Sequence, residues 1–226
     1  MSVHHHPELS ALSEYVTGSA PEPLALALAL HLSSCSACTA AVAQYEAIGG
    51  ALLEDSDLAS LDVEQMLDDV LNLLDDSEDQ PRSKALADKD GFPFALSQRL
   101  PAQLSELPWK RVSRGVSEFK LAIDEDGYVA KLMRIEAGAA VPRHTHRGEE
   151  FTVVLKGGFR DGEQTYMDGD FAAADSSVQH NPVATIAEPC ICLAVTNAPL
   201  KLLTPLGRVV EPLLRLRSFR WHLKRS

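Results

Sequence analysis

The amino-acid sequence predicts a two-domain protein of the α plus all-β class, in which a small helical domain precedes a β-barrel. Residues 7–75 carry apolar side chains at helical spacing. Residues 109–197 instead form short alternating runs separated by Gly, Asp and Pro, which is typical of a sandwich or barrel. We expect the helical domain at 1–80, a linker at 81–108, the barrel at 109–198 and a basic tail at 199–226.

Four short helices are expected in the first domain, at Leu9–Val16, Pro23–His31, Ser36–Leu53 and Asp62–Leu74. The fourth begins with a capping box formed by Asp62 and Gln65. Its apolar residues keep helical spacing, and acidic residues occupy the other face. Because four such helices bury little apolar surface, a domain of this size often needs a metal or a partner for stability.

The strands of the second domain follow a charged, weakly periodic segment at 75–91, which we interpret as a solvated linker that reaches as far as residue 108. Beyond it, four runs alternate as strands do: FKLAID, YVAKLMRIE, EFTVVLKG and ICLAVT. Turn residues separate these runs at near-regular spacing, so they predict a sandwich or barrel.

Charge is unevenly distributed along the chain, whose net charge is −11. Residues 1–80 hold fifteen Asp and Glu and no Lys or Arg, whereas residues 201–226 hold seven Lys and Arg and one acid. An acidic half repels nucleic acid and anionic membranes and attracts a basic protein surface, although acidity can also serve solubility alone. We therefore expect a protein partner, no direct nucleic-acid binding and no membrane. The basic tail could bind nucleic acid or, as we prefer, pack against the acidic half.

The compartment expected from the sequence is the cytoplasm. The N-terminus shows no secretory signal, and the apolar run Leu24–Leu30 is too short to span a bilayer. All four cysteines sit in close pairs, which in a reducing compartment indicates metal or redox chemistry.

A first metal site is predicted by the sequence HLSSCSAC, in which His31, Cys35 and Cys38 follow the spacing His-x3-Cys-x2-Cys. On a continuous helix these positions would share a face about 60° wide. Zinc in structural sites takes four such nitrogen and sulfur ligands, and the fourth could come from His4, His5 or His6. The alternative is a pair of buried structural cysteines beside a helical histidine.

This spacing resembles the zinc-binding anti-sigma domain family. The resemblance implies a zinc-pinned helical bundle that binds an extracytoplasmic-function sigma factor and blocks its access to core RNA polymerase. His31, Cys35 and Cys38 match the motif of that family, and we choose His6 as the upstream ligand, with His5 next. The fourth helix would be the part that inserts into the sigma factor, unless its apolar stripe packs on its own bundle.

A second metal site is predicted in the barrel, where His144 and His146 face the same side of a strand and Glu150 begins the next one. His180, about thirty residues further on, offers a fourth ligand, and such a set can hold Zn, Mn, Fe, Ni or Cu. The stretch resembles the first cupin motif with every spacing met. The turn Asp168–Asp170 resembles part of the second motif, from which His180 lies farther than usual.

The order of the two domains resembles ChrR-type anti-sigma factors over essentially the whole chain. That resemblance implies zinc in both sites and a barrel that senses singlet oxygen or organic peroxides. We therefore expect a regulatory protein with no catalytic residues. The alternative is a metal-dependent cupin enzyme, of the dioxygenase or isomerase type, with an N-terminal interaction domain.

Cys190 and Cys192 lie two residues apart in an expected strand, so both face the barrel interior. They could form an oxidisable pair near the metal, but we favour two small core residues. A direct disulfide between such neighbours would be strained.

Overall fold

The computed structural model describes residues 3–55, 63–75 and 93–203, apart from the side chains of residues 63, 73–75, 94 and 202. The cap position Asp62, residues 81–92 of the predicted linker and most of the basic tail lie outside these ranges. None of the helices in the described ranges is long and apolar enough to cross a membrane.

Four helices occupy the N-terminal part of the chain, close to where the sequence predicts them. They are α1, Leu9–Val16; α2, Glu22–Leu32; α3, Ser36–Glu54; and α4, Val63–Asp75. Pro21 and Pro23 begin α2, where a missing backbone N–H has no helical partner to lose. Leu12 of α1 and Val42 of α3 are both buried in the same core.

Helix α2 is the buried helix of this group. Leu24, Leu26, Leu28 and Leu30 are each at most 4% exposed, and they point to different sides of the helix. A helix that is apolar all round must be covered on all sides. On one side α2 meets α1 and α3, and on the other it packs on strands of the barrel.

The barrel is built from antiparallel strands in three sheets. The strands are β1, Lys110–Ser113; β2, Val116–Glu125; β3, Tyr128–Ile135; β4, His144–Thr145; β5, Glu150–Lys156; β6, Gly158–Asp161; β7, Gln164–Met167; β8, Phe171–Ala174; β9, Gln179–His180; β10, Val183–Ala184; β11, Cys190–Thr196; and β12, Lys201–Leu202. The largest sheet has the order β1-β2-β3-β11-β5-β8, and two three-stranded sheets have the orders β10-β6-β7 and β12-β4-β9. The four strand runs expected from the sequence correspond to β2, β3, β5 and β11.

One core joins the helices to the outer face of the largest sheet. It contains Leu28 of α2 together with Leu132 of β3 and Leu193 of β11, all of them fully buried. A second core, which includes Val154, Cys190 and Cys192, lies on the opposite face, inside the barrel. The helices therefore lie against the barrel over an apolar contact.

The segment just before the barrel also contributes to the shared core. It contains a one-turn helix, α5 (Phe94–Ser97), and a 3-10 turn at Leu104–Glu106. Leu96, Leu100 and Leu107 from this segment are buried in the same core as α2. These residues fall at the end of the predicted linker, so its last part packs on the folded protein.

Helix α4 has an exposed apolar side. Met66, Leu67, Val70 and Leu71 are between 49% and 57% exposed. Ile48 and Leu52, near the end of α3, are 58% and 69% exposed. Exposed apolar side chains grouped in this way usually mark a binding surface.

Candidate metal centres

The first cluster lies where an N-terminal strap, residues 3–7, meets α2 and α3. His6 of the strap, His31 of α2, and Cys35 and Cys38 at the start of α3 bring their ligand atoms within 4.8 Å of one another. The structure thus brings together the four residues that the sequence suggests for this site.

The local geometry differs from the continuous helical face that we expected for His31, Cys35 and Cys38. That expectation is wrong, because the chain leaves α2 after Leu32 and starts α3 at Ser36. Cys35 is the N-cap of α3, and its Sγ accepts a hydrogen bond from Cys38 N at 3.4 Å. The three residues converge because the turn places the end of one helix beside the start of the next.

The distances between the ligand atoms suit a tetrahedrally coordinated cation. His6 Nδ1 lies 3.3 Å from Cys35 Sγ and 3.5 Å from Cys38 Sγ. Zinc–nitrogen and zinc–sulfur bonds of roughly 2.0 and 2.3 Å at a tetrahedral angle separate the ligand atoms by about 3.5 Å.

The tautomer and protonation of the His31 ring also suit the binding of a cation. Its Nδ1 donates to Gly169 O at 2.7 Å, so its Nε2 carries the lone pair. That Nε2 is fully buried and has no hydrogen-bond partner among the described residues. Burial lowers the pKa of His31 and thereby favours the neutral ring that binds a metal. A bound cation would satisfy this otherwise orphaned atom.

The two other histidines near the N-terminus have different surroundings. The ring of His5 lies 4.3 Å from that of Tyr166, and its Nε2 lies 3.1 Å from Thr165 O. Neither His4 nor His5 belongs to the cluster in the structure, and His6 does. The geometry therefore favours His6 among the three candidates.

The second cluster lies inside the barrel, on β4, β5, β9 and the residue after β4. His144, His146, Glu150 and His180 bring their ligand atoms within 4.8 Å of one another. The Nε2 of His180 lies 2.9 Å from that of His144 and 2.8 Å from that of His146. Glu150 Oε2 lies 3.5 Å from His146 Nε2. The pairing of His180 opposite His144 across β4 and β9 explains its place here despite its long spacing from Gly169.

Two of these histidines have their ring tautomers set by neighbours. His144 Nδ1 donates to Pro142 O at 2.8 Å, and His180 Nδ1 donates to the Asp161 carboxylate at 2.6 Å. When both rings are neutral, both Nε2 atoms carry lone pairs, and they face each other at 2.9 Å. Two lone pairs repel at that distance unless a cation lies between them. Hydrogen bonds from the distal ring nitrogen to a carbonyl or carboxylate are also the usual support of metal-binding histidines.

Burial shapes the protonation of this cluster. It lowers the pKa of His146 to about 4, with His144 and His180 adding to the effect, and it lowers the pKa of His144. Burial also raises the pKa of Glu150 to about 7, opposed by Lys131. Neutral imidazoles and one carboxylate form a donor set for a divalent metal.

Neighbouring residues of interest lie outside both clusters. Glu149 is exposed and accepts a hydrogen bond from Tyr128 Oη at 2.6 Å. Cys190 and Cys192 are 0% and 3% exposed within the inner core of the barrel. The hydrogen bond to Cys190, followed by burial, raises the pKa of Cys192 well above the ordinary thiol value.

Two residues that support the clusters were not singled out in the sequence. Asp161 orients His180, and Gly169 accepts from His31 through its carbonyl. Asp161 stands in an ordinary hairpin sequence and gives no signal. The turn that contains Gly169 was recognised, but its contact with residue 31 spans a long stretch of chain that no local pattern reveals.

Comparison with known proteins gives four findings. Residues 97–200 match the ChrR Cupin-like domain family. The chain is 35% identical over 216 residues to the anti-sigma-E factor ChrR of Cereibacter sphaeroides, covering 96% of this chain and 100% of the relative. It is also similar to a chain in the crystal structure of Rhodobacter sphaeroides SigE in complex with the anti-sigma ChrR. There the identity is 34%, the TM-score is 0.73, and the match covers 86% of this chain and 100% of that chain. A further structure, an RmlC-like cupin protein from Ralstonia eutropha, is 24% identical with a TM-score of 0.40, over 45% of this chain and 69% of that one.

Proposed function

The chain belongs to the family of ChrR-type anti-sigma factors, and from this membership we propose that it binds and inhibits an extracytoplasmic-function sigma factor. Inhibition would be by occupation, because a sigma factor held by the N-terminal helices cannot engage core RNA polymerase. Since sigma factors act where transcription occurs, the proposed compartment is the cytoplasm. The role is regulatory, and no residue is assigned to catalysis.

The observation that carries this proposal is the exposed apolar side of α4. A helix with Met66, Leu67, Val70 and Leu71 half exposed has a surface suited to an apolar groove on a partner. The opposite side of α4 carries Asp68 and Asp69, and the first eighty residues contain no Lys or Arg. Such a surface complements a partner that is apolar in its groove and basic around it.

A zinc ion at His6, His31, Cys35 and Cys38 would organise the surface that binds the sigma factor. Two nitrogens and two thiolates are the donor set of a structural zinc site, with no position left open for a substrate. Burial, followed by the bond to Cys35, raises the pKa of the Cys38 thiol to about 12. A cation here would stabilise the thiolates and hold the strap, α2 and α3 together.

The barrel cluster would be the sensing site. His144, His146, Glu150 and His180 would hold a divalent metal, and family resemblance favours zinc. The signal would be singlet oxygen or an organic peroxide, and a change at the barrel would weaken the grip of the helices on the sigma factor. A change of about 1.4 kcal/mol in binding free energy alters affinity tenfold, so a modest structural change is sufficient.

The proposal is tested by mixing the full chain with candidate extracytoplasmic-function sigma factors and measuring complex formation. We expect a stable complex that blocks sigma-dependent transcription. Leu67→Glu places a charge on the apolar side of α4 and should weaken binding about 30-fold or more, equivalent to about 2 kcal/mol. Asn72→Glu adds the same charge on the opposite, exposed side and serves as the matched control.

Two results would contradict this proposal. Equal affinity for the Leu67→Glu and Asn72→Glu chains would remove α4 from the interface. A chain that binds no sigma factor but turns over a small molecule in a metal-dependent way would favour the enzyme alternative.

A further inference from the structure

Asp170 is a buried carboxylate that belongs to neither metal cluster. It lies in the turn between β7 and β8 and is 1% exposed. Its Oδ2 accepts from Met167 N within the turn at 2.8 Å. Its Oδ1 reaches the N-terminal strap, where it accepts from His4 N at 2.7 Å and from His5 N at 3.0 Å.

These bonds keep Asp170 ionised. Burial alone would raise its pKa, but the bonds from Met167, His5 and His4 outweigh burial and lower it. A carboxylate held by three backbone N–H groups forms strong, charge-assisted hydrogen bonds. Two of the three come from peptide groups that immediately precede His6, so Asp170 fixes the position from which His6 enters its cluster.

The same turn also orients a second residue of the N-terminal cluster. The carbonyl of Gly169, next to Asp170, accepts from His31 Nδ1 at 2.7 Å. Gly169 has φ +86°, and a Cβ built on it would lie 2.9 Å from both the Ser34 Cβ and the Val3 Cγ2. Glycine is therefore needed both for the conformation of the turn and for its close approach to the helical part.

The same turn is also hydrogen-bonded to β5, the strand that carries Glu150 of the barrel cluster. Gly169 N donates to Val154 O at 2.9 Å, and Val154 N donates to Asp170 O at 3.0 Å. Val154 belongs to β5, whose first residue is Glu150. The backbone of β5 and its two hydrogen bonds to the turn therefore connect the two clusters.

We propose that Asp170 is the positioning residue through which the barrel holds the N-terminal metal cluster, acting on His6 through the strap and on His31 through the adjacent carbonyl. This inference rests on the proposed metal at His6, His31, Cys35 and Cys38. Two of the four ligands of that metal, His6 and His31, are then held in position by residues of the sensing domain. A displacement of β5 is then transmitted to the N-terminal cluster without any contact between the two metals.

The test uses the full chain loaded with cobalt, whose thiolate charge-transfer band reports on the cysteine-containing site alone. Asp170→Asn places an amide N–H₂ against backbone N–H groups. We expect an altered band and about tenfold or faster loss of that cobalt to a chelator, the usual scale for a lost supporting contact. Asp168→Asn is the matched control, because Asp168 accepts from the Gly157 backbone, and it should leave both the band and the rate unchanged.

A second pair avoids any change inside the barrel. His4→Pro removes the N–H that Asp170 accepts, whereas His4→Ala keeps it, so only the proline variant should release cobalt faster. If Asp170→Asn fails to fold, this pair decides. Equal release from the His4→Pro and His4→Ala chains, or from the Asp170→Asn and Asp168→Asn chains, overturns the inference while leaving the proposed metal intact. Absence of the thiolate band from the unaltered chain overturns both.

Discussion

Individual side chains of both candidate metal clusters are oriented by their hydrogen-bond partners. Gly169, Pro142 and Asp161 each accept from the Nδ1 of one histidine, which leaves the Nε2 lone pairs of His31, His144 and His180 directed into a cluster. A ligand fixed in this way loses little rotational freedom when it binds a metal. Sequence spacing identifies such ligands, but it does not reveal the carbonyls that orient them.

The choice among three adjacent histidines gives a prediction at this scale. His6→Ala should lower the metal content of the full chain from two ions to one, because it removes a ligand of the N-terminal cluster. His5→Ala removes a ring that contacts Tyr166 instead and should retain two ions. Metal analysis of the purified variants checks this. Loss of an ion from the His5→Ala chain alone would show that His5, and not His6, is the ligand.

The barrel cysteines give a second prediction at this scale. Cys190 and Cys192 are buried, and the raised pKa of Cys192 disfavours the reactive thiolate. We expect iodoacetamide at pH 8 to modify neither residue in the folded chain and both after unfolding, as measured by mass spectrometry. Modification at the rate of a free thiol in the folded chain would indicate that the barrel opens to solvent and would favour an oxidisable pair.

The helices differ in how they use their apolar residues. Helix α2 is covered on all sides, whereas α4 leaves its apolar side exposed. The first contributes to folding, and the second is available for a partner. Alternating leucines and alanines in α2 leave no polar side, and this pattern already indicates that a second apolar layer must cover the helix.

Stability measurements should separate these two uses. Leu28→Ala empties a fully buried position between α2 and the barrel and should lower the free energy of unfolding by about 3 kcal/mol. Leu52→Ala changes a leucine that is 69% exposed and should cost less than about 0.5 kcal/mol. Denaturant unfolding of the metal-loaded chains checks both, and equal costs would show that α2 does not bridge the helices and the barrel.

Most of the secondary structure could be predicted from the sequence, and its long-range assembly could not. Helices α1 to α3 and strands β2, β3, β5 and β11 follow from local periodicity, which short stretches of sequence carry. His144, His146 and Glu150 follow from close spacing on adjacent strands. The contact of His31 with Gly169 and the burial of Leu96 depend instead on residues far apart in the chain. The expected single helical face for His31 and Cys38 failed because Cys35 caps a new helix.

Across the whole molecule, the two candidate metal clusters lie on opposite sides of the largest sheet. The inner face of the barrel holds one cluster, and the outer face packs on the helices that hold the other. Such an arrangement can convey a change at the barrel to the surface that binds the partner. The domain limits near residues 80 and 109 stay predictions, because much of the segment between them lies outside the described residues.

A matched pair of adjacent carboxylates tests this arrangement. Glu150→Gln removes a ligand from the barrel cluster, whereas Glu149→Gln alters an exposed neighbour. Both chains should still bind the sigma factor. On illumination with a photosensitiser, the Glu149→Gln complex should dissociate as the unaltered one does, and the Glu150→Gln complex should persist. Equal dissociation of the two complexes would remove the barrel cluster from sensing.

The affinity of the Cys35→Ala chain for its sigma factor is the most direct measurement of whether a metal organises the helices that hold the partner. Ser36→Ala, an exposed neighbour, is the control and should bind as the unaltered chain does. We predict that Cys35→Ala loses the N-terminal metal and binds about 30-fold more weakly or worse, a loss of at least about 2 kcal/mol. Unchanged affinity in a chain that has lost this metal would contradict the account.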